Sequence, residues 1–375
     1  MLAMIAGPCG YGVGITRAEA LRGAASYGLA AAAGLSPAGA HAATTAFDGA
    51  ILYDTRSASF LAADPQRQLR LALRDSADEP RVFFAGEEHT NKLHHGIQLE
   101  MVKAVDALDD SPTLIGLEMC WRQHQPALDA FVFGGPERGG GDIEVLARRT
   151  AWERTWGYPV ELYAPILAYA REQKLRLVGL NAPYQVVEAV AKVGMEGLKP
   201  ELRQLLPDVD LTNRNHRERF ALAIGGRVGE DDALLPPIDD GTHGAMSPDG
   251  MQRMYEAMTL WDEFMASSIA GYVADKPKDG AGPFRSASLG TERMVVMVGS
   301  SHVRGRVGIP DRFTKRTNLS TFTMVPERWM GAGRPAGSAK LLPSEADWVL
   351  YARPQRAEGL SLVSSRRFSA GAVFL

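Results

Sequence analysis

Four short apolar runs punctuate the middle of the chain, at 81–85 (RVFFA), 113–117 (TLIGL), 175–180 (LRLVGL) and 294–298 (MVVMV). None alternates cleanly between apolar and polar positions, the pattern of strands buried on both faces. Between the first two, Leu93, Ile97, Met101, Ala104, Val105 and Leu108 recur at helical spacing, with Glu100, Lys103 and Asp106 between them. A strand, a helix and a strand in that order predict a β-α-β unit and hence a parallel sheet. Helical periodicity returns at 160–173 and 186–195, and 319–325 and 348–351 read as later strands. The expected fold class is α/β, a mostly parallel sheet flanked by helices.

More than 100 residues separate the third run from the fourth, too many for an ordinary crossover, so a folded insertion is expected before the fourth main strand. It is read as a small helical subdomain over about residues 195–275, packed over the sheet. Its longest element is a helix from Pro248 to about Val273, carrying Met251, Met254, Met258, Trp261, Met265 and Ile269 on one face. Such a methionine stripe reads first as core, although flexible thioethers also suit a planar apolar ligand.

Residues 1–42 differ from the rest. Glu19 is their only acid, Arg17 and Arg22 are basic, and the Ala-rich stretch 23–35 is shorter than the roughly 20 residues that span a bilayer. Ala40-x-Ala42 follows as a small-residue cleavage signature, so 1–42 reads as a cleavable targeting segment ahead of an α/β domain at 43–360 and a tail at 361–375. A flexible tail or surface helix is the plainer reading. The export signal fits a bacterial periplasm, and the long lead before Arg17 fits a plastid (thylakoid) lumen. No transmembrane helix is expected in the mature chain.

Composition narrows the chemistry. The 41 Lys plus Arg nearly balance 44 Asp plus Glu, which argues against nucleic acid as the partner. The two cysteines, Cys9 and Cys120, cannot build a disulfide framework or a Cys-rich metal site, and Cys120 reads as a buried apolar residue. Any metal must be held by His, Asp, Glu or Tyr.

Ligands of an open parallel sheet bind at the carboxyl ends of the strands. Every run here is followed by polar residues: Glu87, Glu88 and His89 with His94 and His95 after the first, Glu118 after the second, Asn181 after the third, Ser300, Ser301 and His302 after the fourth. His89 and His302 each close a G-x-x-H string. With 39 glycines and 8 histidines about one such string is expected by chance, so the strand-end placement carries the signal. In each string the glycine is expected to allow a sharp turn. Neutral imidazoles beside carboxylates can ligate a divalent metal or act as general base with an orienting acid, whereas a strand-end histidine can also simply bond backbone. Glu118 reads as a metal ligand, a base or orienter beside His89, or a buried ion-pair partner of Arg122 or Arg154. Of the adjacent acids only one can face the site, and Glu88 is the favoured one. His94 and His95 open the first helix, where they cap it or ligate iron. The G-x-S-x-G, H-E-x-x-H and G-x-x-x-x-G-K-[ST] motifs are missing, and no G-x-G-x-x-G follows the first run.

The ordered set 86–91 (GEEHTN) with His94 and His95, 117–119 (LEM) with Arg122 and 125–130 (QPALDA), 163–167 (YAPIL) with 181–183 (NAP), and 298–304 (VGSSHVR) with 308–310 (GIP) resembles the ChaN-type haem-binding uptake proteins of the Tiki/TraB superfamily. The resemblance covers about residues 80–310, with a weaker echo at 346–349. It implies a large α/β domain with a smaller helical one, and haem binding in iron acquisition or haem handling. Cys120-Trp121 stands where an aromatic commonly follows Glu-Met, which bears on the shape of the pocket.

Two functions follow. The first is a non-covalent haem site, which a homodimer could share, with His94 or His95 as axial ligand and Met254 and Met258 nearby. The second, by analogy with superfamily peptidases and esterases, is a divalent-metal hydrolase in which His89, Glu118 and His302, with Glu88 second, hold the metal and carry catalysis.

Overall fold

The computed structural model describes residues 50–61, 67, 70–71, 79–236, 247–274, 291–329 and 344–352. The expected targeting segment at 1–42 and the tail at 361–375 lie outside the described residues. Among those described, the strands are β1 (Ala50–Asp54), β2 (Ser59–Phe60), β3 (Val82–Glu87), β4 (Thr113–Trp121), β5 (Arg176–Asn181), β6 (Arg227–Val228), β7 (Leu234–Leu235), β8 (Arg293–Gly299), β9 (Thr321–Arg328) and β10 (Trp348–Ala352). The α-helices are α1 (Lys92–Asp106), α2 (Gln125–Phe133), α3 (Ile143–Thr150), α4 (Trp152–Thr155), α5 (Ala164–Gln173), α6 (Tyr184–Val193), α7 (Pro200–Arg203), α8 (Arg214–Ala223), α9 (Pro248–Val273) and α10 (Ile309–Thr317). No helix among the described residues is long and apolar enough to cross a membrane.

Eight strands form one sheet in the order β2-β1-β10-β9-β3-β8-β4-β5. From β10 to β5 every neighbouring pair is parallel, while β1 and β2 add an antiparallel edge. The unbroken apolar runs are explained by burial on both faces: all of β3 and all of β8 are inaccessible to solvent. On one face α1, α2 and α5 contribute Ile97, Met101, Leu128, Phe131, Ile166 and Leu167 to a core against Phe83, Ile115 and Val295. On the other face Met265, Ile269 and Val273 of α9 and Phe313 of α10 pack on Phe84, Val178 and Val296. Each such side chain contributes about 1.5–3 kcal/mol by leaving water.

The 26-residue helix α9, about 39 Å long, starts at Pro248 behind the N-cap Ser247, whose Oγ accepts the Gly250 N–H at 3.0 Å. Its successive turns enter three cores. Met251, Tyr255 and Met258 pack with Phe220 of α8 and with β7, Leu260 and Phe264 with Val186 and Val190 of α6, and Met265 onward with the sheet. Its middle turn therefore sits where sheet and helical subdomain meet.

Two details of the sheet place the site. β8 inserts between β3 and β4, pairing Gly86 with Val298 and Glu87 with Gly299, so the two G-x-x-H strings emerge side by side. β4 runs four residues past Leu117, with a register shift against β5 between Leu117, opposite Gly179, and Trp121, opposite Asn181. Glu118 thus lies within a bulged strand, not after a finished one. A bulge re-aims side chains, and Gly179 makes room for it: a Cβ there would come within 2.5 Å of the Trp121 carbonyl.

Candidate functional site

Glu87 ends β3 and is 2 % exposed. Its Oε1 accepts from His89 Nδ1 at 2.8 Å and from the Tyr163 hydroxyl at 2.6 Å, and its Oε2 lies 3.1 Å from His95 Nδ1. Burial pushes this carboxyl up, but the hydrogen bonds from His89 and His95 outweigh it and hold Glu87 well below the usual carboxylate range. Because His89 gives its Nδ1 proton to Glu87, its Nε2 carries the lone pair. That atom faces no hydrogen-bonding group among the described residues. The rings of Trp156 and Tyr158 flank it, with centroids 4.6 and 5.1 Å away.

His95 is used up structurally. Its Nδ1 sits 3.0 Å from Gln98 Oε1 as well as near Glu87, and its Nε2 is 2.9 Å from the His89 carbonyl. Gln98 is oriented by donating to the Ala85 carbonyl at 2.8 Å. Burial lowers the His95 pKa, but Glu87 and these acceptors raise it above the ordinary histidine value, so both nitrogens are donors. His94 is held the opposite way: its Nδ1 accepts the Glu88 N–H at 3.0 Å, and burial takes its pKa down to about 4. Asn91 caps α1, accepting from Leu93 N at 3.0 Å, and its amide lies 3.1 Å from His94 Nε2. Both histidines, expected as iron ligands, are engaged by protein groups at each ring nitrogen. Both brace the loop that carries His89.

Glu88 lies apart from these groups. It points outward and pairs with the exposed Arg328 at 3.2 Å. Because β3 continues through Glu87, strand alternation turns Glu87 inward and Glu88 away.

On the β4 side, Glu118 is 5 % exposed. Its Oε2 accepts the Gly299 N–H at 2.6 Å, its Oε1 lies 3.3 Å from His302 Nε2, and its carbonyl accepts from Asn181 Nδ2 at 3.1 Å. Asn181 thus pins the bulge. Arg122 is not Glu118's partner; it donates to Ser268 Oγ at 2.5 Å and to the Phe264 carbonyl at 2.8 Å. His302 Nδ1 bonds Asp262 Oδ1 at 2.6 Å, and Asp262 Oδ2 is 3.0 Å from His216 Nε2. Burial lowers the pKa of His302, but Glu118 and Asp262 raise it to about 10. Burial raises Glu118 and Asp262, and His302 with its neighbours brings both below their ordinary values.

Gly299 joins the two halves. A Cβ on it would lie 2.9 Å from His89 Cε1, 3.3 Å from His89 Nε2 and 3.5 Å from Glu118 Oε2. Its φ is −58°, and Gly86 lies inside β3, so neither glycine makes the expected left-handed turn. They permit close approach: a Cβ on Gly86 would meet the Met324 carbonyl at 2.8 Å.

His302 has Glu118 Oε1 3.3 Å from its Nε2 and Asp262 Oδ1 2.6 Å from its Nδ1, and among the described residues no group of three His, Cys, Asp or Glu side chains is arranged to hold a metal ion. Met254 and Met258 pack with Phe220, Leu234 and Tyr255 in the helical subdomain, not against the histidines. Cys120 is buried and its thiol is pushed up by burial, as suits an inert core residue. A cleft of about 330 Å³ lies at the amino ends of β4 and β5, lined by charged residues such as Asp109, Lys174 and Arg176. It is remote from the histidines, and Asp109 there is already bonded to Arg293.

The residues not anticipated from the sequence are Glu87, Tyr163 in its supporting role, Asp262 and His216. An acid pair, Asp262 and Glu263, interrupting the apolar stretch of the helix that follows Glu256 was the available signal for the third.

No curated protein matches the chain. Among solved structures, ChaN of Campylobacter jejuni, described with cofacially bound haem, aligns with a TM-score of 0.54 at 15 % identity, covering 81 % of this chain and 97 % of that one. An erythromycin esterase mutant in its open conformation aligns at 0.33 and 13 % identity, over 69 % and 74 % of the two chains. A succinoglycan biosynthesis protein aligns at 0.41 and 10 %, over 78 % and 92 %. The first shares the α/β fold, and the other two are too distant to carry an argument. The profile of one family, haem-binding uptake, Tiki superfamily, ChaN, matches residues 73–313, which is more than half of the chain and spans every strand-end residue of the site. The protein belongs to the ChaN haem-binding uptake family of the Tiki superfamily.

Proposed function

We propose that this chain binds haem non-covalently at the carboxyl edge of its sheet and acts in haem or iron uptake or handling. The observation that carries the reading is the setting of His89, whose Nε2 meets no hydrogen-bonding partner among the described residues while Glu87 holds Nδ1–H. A carboxylate behind an imidazole fixes its tautomer and strengthens it as an iron ligand. Trp156 and Tyr158 supply apolar rings beside it, so His89, ahead of His94 or His95, would be the residue that holds the iron. When bound, haem supplies the iron and the planar apolar surface; the chain's residues orient the imidazole and shield it from water. Segment 1–42 supports export, to a periplasm or a plastid lumen.

Titrating the purified chain with haemin tests this. The Soret band is expected to shift and saturate, and His89→Ala to weaken binding at least tenfold. No Soret change, or an unaltered His89→Ala titration, overturns it.

A second reading, hydrolysis of an ester or amide, is favoured by the asymmetry of the two histidines. His89 Nε2 can take a proton from water as the hydroxide adds to the substrate's carbonyl carbon. The oxygen of that carbonyl would accept from His302 Nε2–H, and collapse would break the C–O or C–N bond with the His89 proton passing to the leaving group. A divalent-metal form of the same hydrolysis, held by His89, Glu118 and His302, would instead lose its activity to chelator. Release of p-nitrophenol from a p-nitrophenyl ester, undiminished by chelator and abolished in His89→Ala, is the expected signature.

A further inference from the structure

The contacts around Asp262 assign its two partners unambiguously, because Arg312 can only donate. Arg312 Nη2 lies 3.3 Å from His216 Nδ1, so that nitrogen accepts, and the ring proton of His216 sits on Nε2, 3.0 Å from Asp262 Oδ2. Asp262, wholly buried, bonds His302 Nδ1 through Oδ1 at 2.6 Å, and its Oδ2 lies in ion-pair contact with His216 Nε2 at 3.0 Å, short of hydrogen-bond geometry. His302 in turn meets Glu118 at its other nitrogen. Arg312 is itself anchored by Glu263, 3.0 Å from its Nε. The groups facing His302 are Glu118 from β4, Asp262 from α9 and the Trp261 ring, 6.4 Å away.

We propose that Asp262 is the positioning residue of the strand-end site and His216 its brace, so that the chain Arg312, His216, Asp262, His302, Glu118 makes the helical subdomain a working part of a site whose other members all lie at the sheet edge. This rests on the site proposed above. His302 cannot rotate without breaking its Nδ1 bond, and Asp262 cannot turn without giving up its 3.0 Å ion-pair contact with His216. The same chain explains the charge state of His302: two ionised carboxylates, one held by the subdomain and one by the bulge of β4, both accept from it.

The test uses the full chain with ¹⁵N-labelled histidine, the His302 signals being identified by their loss in His302→Gln. At neutral pH the wild-type His302 is expected to show both ring nitrogens protonated. In Asp262→Asn it is expected to become a neutral tautomer or to broaden by exchange. His216→Leu is expected to broaden the same signals, and His216→Gln, which keeps a donor toward Asp262, to restore them. A merely structural role would lower the melting temperature of Asp262→Asn and His216→Leu and leave the His302 signals in place; that result overturns the proposal. Should Asp262→Asn not fold, the His216→Leu and His216→Gln pair decides alone, and identical His302 signals in both overturn it. Because the spectrum is read without ligand, a failed haemin or ester assay leaves this outcome distinct: the function falls, and the positioning chain stands or falls by the spectra.

Discussion

Replacing His302 by Gln removes a buried cation flanked by Glu118 and Asp262, and its consequence for stability has a definite sign. In the unfolded chain this imidazole loses its proton near 6.5, and in the folded chain only near 10. Between those values the folded state binds more protons, so stability falls as pH rises, by about 1.36 kcal/mol per pH unit. The contribution is fully present below 6.5 and is gone above about 10; over that interval it amounts to about 5 kcal/mol. That is a large part of the 5–15 kcal/mol typical of a whole domain. Urea midpoints of wild type and His302→Gln, followed by far-UV circular dichroism from about pH 6.5 to 9.5, measure it. The wild type is expected to lose several kcal/mol more than the variant across that range. His95, whose pKa is also raised, titrates in both proteins and cancels in the comparison. Parallel curves would refute the argument, showing that the carboxylates do not hold a charged His302.

On the acid side the sign reverses. Folded His94 resists protonation down to about 4 while the unfolded residue takes a proton near 6.5, so stability falls as pH falls through that window, by about 3 kcal/mol. Acid unfolding of His94→Asn is expected to be shallower by about one proton, and an unchanged slope would show that His94 charges freely in the fold. Gly299→Ala places a methyl 2.9 Å from His89 Cε1 and is expected to cost about 1–3 kcal/mol while displacing the ring, read as a lower melting temperature together with weaker haemin binding. Glu88→Gln, at an exposed ion pair, is expected to change urea stability by at most about 1 kcal/mol. Glu87→Gln, at a buried pair, is expected to cost about 3–5 kcal/mol, and equal effects of the two would mean that the inward and outward assignments are wrong.

The sheet was legible because strands buried on both faces must be apolar nearly throughout, and apart from Glu87 at the end of β3 and Arg293 at the start of β8 these two are. His89, Glu118 and His302 were legible because polar residues at the ends of such strands stand out. The choice between Glu87 and Glu88 depended on where β3 stops, which hydropathy does not mark once an acid begins to end the run. The bulge in β4 left no trace in its own sequence; its counterpart is the small Gly179 on the neighbouring strand, meaningful only once the pairing is known. Asp262 was hidden for a different reason. An acid in a long helix is ordinarily assigned to the wet face, and α9 has little wet face: Asp262, Glu263, Phe264, Met265 and Ala266 are consecutive and all buried. The methionines misled in the opposite direction, since a stripe of them describes a packed interface equally well whatever lies across it.

The strand order also governs when the site can come into being during synthesis. β3 pairs only with β8 and β9, so Val82 waits for Met294 on one side and Thr321 on the other. At about 5–20 residues per second, a ribosome leaves this largely apolar strand without its neighbours for about 10–40 s. His89 meets Gly299 and Glu118 only after most of the chain has been made, and such distant pairings are slow to close. Nascent chains arrested before β8 would therefore expose an unpaired hydrophobic edge and lack the site altogether, which makes the early strand a substrate for chaperones and a source of aggregation in truncated products.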